Sequence, residues 1–250
     1  MPAGVYPREG GGRHDRSVNY LCYAVISKVE MKFLLTGFEP FGQSSINPSE
    51  QVVRMLAGRQ FEGFGVETAV LPVHRFHGPQ KLLALVQQTA PDAVVCLGEA
   101  GGRTAVSIER IAVNLLDFRL ADNDGLVVQD ESIAADGPAA YFTTLPVRAL
   151  QQAVATAGIP AELSLSAGAF LCNQVTYELL HFLAQQQLAI PAGFIHLPLL
   201  PEQAAGQTPL RPSMALDVMV TAVVTILYTL YARLKSQDDS QLSQALALPR

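Results

Sequence analysis

Three short apolar runs constrain the architecture of this chain. KFLLTG (32–37), AVVCLG (93–98) and GFIHL (193–197) are apolar at consecutive positions, not at alternate ones. A strand of that kind is buried on both faces, as in parallel sheets covered by helices. Helical patterns separate the runs. Residues 48–58 read as a helix capped by Asn47 or Ser49, with Glu50 in its first turn. Residues 74–89 carry Leu82, Leu83, Leu85 and Val86 at helical spacing. Residues 146–157 form a third helix, stopped at Gly158-Ile159-Pro160, and residues 171–187 a long fourth. Segments 66–73, 108–118 and 163–166 read as extended. This alternation predicts an α/β fold, a single-domain three-layer α/β/α sandwich. Its sheet is twisted and largely parallel, though mixed, with helices on both faces.

Residues 31–235 show neither a composition break nor an internal repeat, so one catalytic-sized domain spans them. Residues 1–30 differ. Positions 10–16 are glycine-rich and charged, which predicts a disordered extension or a segment upstream of the true start. The apolar stretch 20–26 is at the floor for a signal-peptide core and no clear cleavage site follows, so the chain is expected in the cytoplasm. Segment 214–231 superficially resembles a membrane span. It contains Asp217, however, and Asp217, Thr221, Thr225 and Thr229 recur every four residues. They form one ridge of a helix, opposite Val218, Val223, Ile226 and Leu230. A buried C-terminal helix is predicted, with no membrane partner, and residues 236–250 are expected to fray.

Composition excludes several classes. Among 250 residues 49% are apolar and 16% charged, too apolar for disorder and enough to bury a core without disulfides or metal. Seventeen Lys and Arg against 22 Asp and Glu leave a net charge of −5, without the basic balance of a nucleic-acid binder. Cys22, Cys96 and Cys172 are odd in number and far apart, which fits a reducing compartment. No CxxC pair or Cys/His cluster is present, so no metal is expected.

Ligands in such folds sit beyond the carboxyl ends of the strands. The loops there are 37–47, 98–103, 166–172 and 197–203. Cys172 follows the small residues Ser166-Ala167-Gly168-Ala169 and opens a helix, where the dipole and free amides favour a thiolate and can hold an oxyanion. A buried structural thiol is an equal reading of the position alone. Cys96, mid-strand among Val94, Val95 and Leu97, reads as core. His196 ends an apolar strand, and a nucleophilic thiol needs a base within reach. A carboxylate to orient that base is harder to choose. Glu109 lies in an apolar extended segment and must find a partner, but Glu99, Asp117, Asp122, Asp124 and Glu202 compete with it. The loop Gly98-Glu99-Ala100-Gly101-Gly102-Arg103 is neither GxGxxG nor a P-loop. Its glycines allow backbone to approach a small ligand. Phe38 and Phe41 in GFEPFG (37–42) read as a hydrophobic plug or as the wall of a small apolar pocket.

Taken together, LLTGFEPFGQSSINPSE (34–50), GEAGGR (98–103), ERIAVN (109–114), DGPAAYFTTLP (136–146), AGAFLCNQVTYELLH (167–181) and GFIHLPLLPEQ (193–203) resemble the pyroglutamyl peptidase I family of cysteine peptidases. They occur in the family's order across residues 31–235. The resemblance implies a catalytic Glu109, Cys172 and His196, with Arg119 near the substrate carbonyl. It implies a lactam pocket of Phe38, Phe41, Asn47 and Phe170, no cofactor, N-terminally pyroglutamylated peptides as substrate, and a homo-oligomer, a tetramer. Two positions depart from the family pattern. Glu99 stands where the family often has Gln, and a carboxylate cannot donate a hydrogen bond to a lactam unless protonated. Ile108 stands where Pro commonly precedes the catalytic Glu. Two other readings remain at this point: a binder of pyroglutamyl-blocked peptides that does not cleave them, and another α/β enzyme such as a nucleoside phosphorylase.

Overall fold

The computed structural model describes residues 31–246; the expected N-terminal extension, with Cys22, lies outside them. The chain runs β1 (Met31–Phe38), α1 (Pro48–Leu56), β2 (Gln60–Phe61), β3 (Phe64–Leu71), α2 (His77–Thr89), β4 (Ala93–Glu99), β5 (Val106–Glu109), β6 (Ile111–Val113), β7 (Ala140–Phe142), α3 (Val147–Thr156), β8 (Ala161–Ser164), α4 (Leu171–Gln185), β9 (Ala192–Leu197), α5 (Pro201–Ala204) and α6 (Leu216–Leu246). Seven strands form one sheet in the order β2-β3-β1-β4-β9-β5-β8, and β6 pairs with β7 in a small second sheet. The pairs β1–β3, β1–β4, β4–β9 and β5–β8 are parallel. The pairs β5–β9 and β2–β3 are antiparallel. The mixed, largely parallel α/β fold is therefore as expected.

Alternation along the strands divides the interior into two cores. Phe33, Leu35, Val95, Leu97, Ile195 and Leu197 face α1, α3 and α6. Leu34, Val94, Cys96, Ala192 and Phe194 face α4 and α2. Helices on both sheet faces make the three layers. Each such side chain, fully withdrawn from water, contributes about 1.5–3 kcal/mol. The same parity has a functional result: His196 follows Phe194 onto the α4 face.

Local chemistry sets the element ends that matter most. Asn47 caps α1: its Oδ1 accepts from the Ser49 amide and hydroxyl, and Pro48 opens the helix. Ser49 Oγ in turn accepts the Phe38 amide, tying the end of β1 to that cap. A Cβ at Gly37 would lie 2.5 Å from the Ser49 carbonyl oxygen, so only glycine permits this approach.

Two readings are refined. The single extended segment expected over 108–118 breaks at Arg110. Residues before it belong to the large sheet, and β6 beyond it to the small one. The C-terminal helix does not end near Lys235 but continues to Leu246. On the expected ridge, the hydroxyls of Thr221, Thr225 and Thr229 donate to carbonyls four residues back. Val223, Ile226 and Leu230 on the opposite side are fully buried. By length and composition Leu216–Asp238 could cross a membrane, but a third of its most apolar window is packed within the protein.

Candidate active site

The carboxyl ends of β4 and β9 and the loop leading into β5 meet the N-terminus of α4 over one cavity of about 370 Å³. Cys172, His196, Arg103, Arg119, Asp117, Glu99, Phe41 and the loop before α4 line it. Cys172 is the second residue of α4, whose N-terminus has no side-chain cap. The amides of that first turn are thus left without helical partners. Asn173 anchors the turn: it accepts from the Val113 amide and donates to the Val113 and Leu115 carbonyls. The sulfur lies against Gly98, where a Cβ would stand 3.1 Å from Sγ. Gly98 is the register partner of His196. Pairing across the sheet thus brings the imidazole to the thiol. Among the described residues no Cys172–His196 hydrogen bond is formed.

On its other side His196 is fixed. Its Nδ1 is 2.8 Å from Glu109 Oε1, and both side chains are almost fully buried. Burial pulls the imidazole below its ordinary range, more strongly than the Glu109 hydrogen bond and charge raise it. Burial raises the Glu109 carboxyl, but the His196 hydrogen bond and the charges of His196 and Arg103 outweigh this and leave it low. Glu109 is ionised and His196 neutral, so Nδ1–H donates to the carboxylate and Nε2 is left as the basic nitrogen.

The thiol departs from expectation. Burial, then the Glu109 and Glu99 carboxylates, push it up to about 12. The helix N-terminus favours a thiolate, but desolvation and two nearby negative charges win. These influences favour the thiol over the thiolate in the resting site. Cys96 is fully buried in the sheet, as read from the sequence.

The residues of the implied lactam pocket also come together. Phe38, Phe41, Asn47, Val73, Glu99, Phe170, Leu171 and Cys172 line a narrow apolar slot beside the thiol. Its free space is about 10 Å³, roughly enough for one water. Phe41 and Phe170 face each other at 6.2 Å, and Phe118 meets Phe170 edge-on. Asn47 is largely committed as the α1 cap and donates to the Glu39 carbonyl. Burial raises the Glu99 carboxyl, opposed by the Gln203 amide bonded to it at 2.7 Å and by the charge of Arg211. Arg119 is exposed, outside the slot, and lines both the 370 Å³ cavity and a neighbouring one of about 540 Å³ with Gln43, Ser44 and Arg211.

The competing acids are accounted for. Asp122 accepts the amides of Arg75, Asp124 and Leu126 in a turn, and Asp124 pairs with His74. Asp117 is on the cavity rim, and Glu202 is exposed on α5. Arg103 was not singled out from the sequence. Its Nη1 is 2.9 Å from Glu109 Oε1, and its Nη2 donates to the Ser166 carbonyl at 2.9 Å. GEAGGR offered the only signal, an arginine closing a glycine loop at a strand end.

An α/β/α sandwich that gathers a thiol, an imidazole and a buried carboxylate beyond its strand ends defines a class, the candidate thiol hydrolases. Residues 31–232 match the pyroglutamyl peptidase family, and the chain belongs to it. It is 44% identical over 210 residues to a pyrrolidone-carboxylate peptidase of Vibrio vulnificus strain CMCP6, covering 84% of this chain and 96% of that one. It is 43% identical over 206 residues to pyrrolidone-carboxylate peptidase 1 of Ralstonia nicotianae, covering 82% and 94%. Among solved structures, pyroglutamyl peptidase I of Bacillus amyloliquefaciens superposes with a TM-score of 0.77 at 36% identity, covering 80% of this chain and 94% of that one. A mutant pyrrolidone carboxyl peptidase of Pyrococcus furiosus gives 0.80 at 39% identity, covering 82% and 100%.

Proposed function

We propose that this protein is a cysteine peptidase that removes an N-terminal pyroglutamyl residue from peptides through Cys172, His196 and Glu109. The observation that carries the reading is the Glu109–His196 bond of 2.8 Å behind a cavity that His196 lines together with the Cys172 thiol. Pyroglutamate is a five-membered lactam with no free amine. The slot beside the thiol offers flat aromatic walls in Phe38, Phe41 and Phe170. Its free volume is smaller than such a ring, so the walls part on binding; Phe41 and Phe170, both half-buried on loops, are the walls that can give. A site that hydrogen-bonds the lactam rejects proline, which lacks the lactam oxygen.

The chemistry follows from the protonation states. As Cys172 Sγ bonds to the scissile carbonyl carbon, its proton passes to His196 Nε2. The carbonyl oxygen becomes an oxyanion, held by the free amides of the α4 N-terminus and approached by the Arg119 charge. The imidazolium, stabilised by Glu109, returns the proton to the leaving nitrogen as the C–N bond breaks. Water then attacks the thioester by the same route, releasing pyroglutamate and the thiol. No step calls for a metal or organic cofactor. The leaving peptide passes into the cavity shared by Arg119 and Arg211.

The same reading places the enzyme in the cytoplasm, consistent with the unpaired thiols of Cys96 and Cys172. It also makes the enzyme a homo-oligomer, which light scattering tests. The function is tested by coumarin release from pyroglutamyl-aminomethylcoumarin, with and without iodoacetamide, beside the prolyl analogue. Release from the pyroglutamyl substrate alone, abolished by alkylation, is the expected result. Binding of pyroglutamyl peptides by folded protein without release would leave a binder and overturn the peptidase.

A further inference from the structure

Glu109 Oε1 is shared between two partners. His196 Nδ1 lies 2.8 Å from it and Arg103 Nη1 lies 2.9 Å from it. The other terminal nitrogen of the same guanidinium donates to the carbonyl of Ser166, in the loop that runs into Cys172. One side chain therefore spans both arms of the site, the acid behind the base and the segment that delivers the nucleophile. That side chain is only 25% exposed. We propose that Arg103 is a positioning residue of the peptidase reaction, dividing the charge of Glu109 so that His196 rests neutral and able to accept the thiol proton, while holding the loop before Cys172. The proposal rests on the peptidase reading and assigns a fourth residue to it.

A buried carboxylate facing only an imidazole draws a proton onto it, because the ion pair is weakly screened there. The site would then rest as an imidazolium, unable to take a proton from a thiol. A guanidinium is always charged. Placed 2.9 Å from the same oxygen, it offsets part of the carboxylate's charge without titrating. The remaining charged or titratable groups around the imidazole are Glu99 at the end of β4, Cys172 on α4, and Asp117 and Arg119 on the rim. Glu162 on β8 lies 3.9 Å from Arg103 Nη1. Among the described residues Arg103 is the one Lys or Arg in contact with Glu109. Burial lowers the His196 value first, and Arg103 adds to that effect against Glu109. Glu109 Oε2 and Arg103 Nη1 are both buried without a hydrogen-bond partner, so Arg103 acts on Glu109 as a close ion pair, through charge.

The test compares the pH dependence of kcat/KM for pyroglutamyl-aminomethylcoumarin in the wild type, Arg103→Lys and Arg103→Met. In Arg103→Met the undivided Glu109 charge raises His196, so the acid limb moves to higher pH. Loss of the loop anchor lowers kcat by up to about 100-fold, the scale of a misplaced catalytic group. Arg103→Lys keeps the charge but cannot reach both partners; its limb stays near the wild-type position while the rate drops. An acid limb that does not move in Arg103→Met, with only the rate reduced, reduces Arg103 to a structural role and overturns the proposal. A second measurement needs no variant and no turnover. Iodoacetamide labelling of Cys172 in the wild type, followed by peptide mass spectrometry, is expected to accelerate steadily from acid to alkaline pH. A fast plateau on the acid side marks a resting thiolate–imidazolium pair and also overturns it. Failure of the peptidase reading looks different: folded wild-type protein that releases no coumarin.

Discussion

Gly98 and Cys172 lie so close that a single methyl group on β4 would stand 3.1 Å from the sulfur. The same methyl would be 2.6 Å from the Phe194 ring. Gly98 also faces His196 across the β4–β9 pairing, so the missing side chain is what lets thiol and imidazole share one floor. Gly98→Ala must shift either the Phe194 ring or the thiol. Overpacking of this kind costs about 1–3 kcal/mol, and a displaced nucleophile costs far more in rate than in stability. The expected outcome is a modestly lowered melting temperature with kcat/KM reduced by at least about 10-fold. Wild-type activity in a folded Gly98→Ala protein would show that the contact does not set the position of the thiol.

Cys172→Ala tests the nucleophile directly. The substitution removes a half-buried thiol and leaves Asn173, which anchors the helix turn, untouched. Turnover should vanish while circular dichroism and melting stay close to wild type. Cys172→Ser should be nearly as poor. The thiol already resists ionisation here, and a hydroxyl resists it far more. Residual coumarin release in the alanine protein above the uncatalysed rate would exclude Cys172.

Much of this was legible in the sequence, for specific reasons. The runs 32–37, 93–98 and 193–197 announce themselves because strands buried on both faces leave no polar alternation, and they became β1, β4 and β9. Cys172 and His196 could be found because each sits where a strand-end loop breaks an apolar pattern. Glu109 could not be chosen by residue chemistry, since five other acids were equivalent locally; family resemblance pointed to it. Arg103 was barely signalled because its role needs Glu109 nearby together with two neighbours from distant segments, Ser166 and His196. The antiparallel pairing of β5 with β9 and the parallel pairing of β5 with β8 bring those together, and neither is written in local sequence. The forces on the thiol were only partly visible, for a similar reason. The helix N-terminus is a local signal, whereas burial and the approach of Glu99 and Glu109 are tertiary. The continuation of α6 past Lys235 has no apolar stripe to announce it.

Stability should fall on the acid side, in two steps. His196 is lowered in the folded protein, so below its ordinary value of 6.5 the unfolded chain binds a proton that the folded chain does not. Its contribution is fully present above that value and is lost as pH falls below it. Glu109 is also lowered in the folded protein, so its contribution is present above its ordinary 4.5 and is lost as pH falls through the folded value. The melting temperature should be flat between about pH 7 and pH 8, decline below about pH 6.5 and again below about pH 4.5, and decline above about pH 9, where the unfolded chain ionises the thiols of Cys96 and Cys172 that the folded chain keeps protonated. His196→Gln removes the first decline and keeps the second. An unchanged first decline in that variant would assign it to another group.

Glu99 ties the nucleophile to the lactam slot through charge. Its carboxylate lines both. Burial is the largest influence on the Cys172 thiol, and the negative charges of Glu109 and Glu99 follow, each opposing the thiolate. Glu99→Gln deletes one of these charges at constant size. The Gln203 amide that bonds Glu99 at 2.7 Å can bond the new side-chain oxygen instead, so the loop carrying Phe41 keeps its support. Removing a negative charge stabilises the thiolate, which lowers the thiol value and raises the ionised fraction at any pH below it. Alkylation of Cys172 in Glu99→Gln should therefore be several-fold faster than in the wild type near neutrality, about 10-fold for each unit that the thiol falls. The new side chain can also donate a hydrogen bond to a lactam carbonyl without first being protonated, so KM for the pyroglutamyl substrate should fall. Measuring the two effects together separates them. Faster alkylation with unchanged KM would mean that Glu99 acts on the thiol and leaves the lactam alone, and lower KM with unchanged alkylation would mean the reverse. If neither changes, Glu99 has no electrostatic hold on this site.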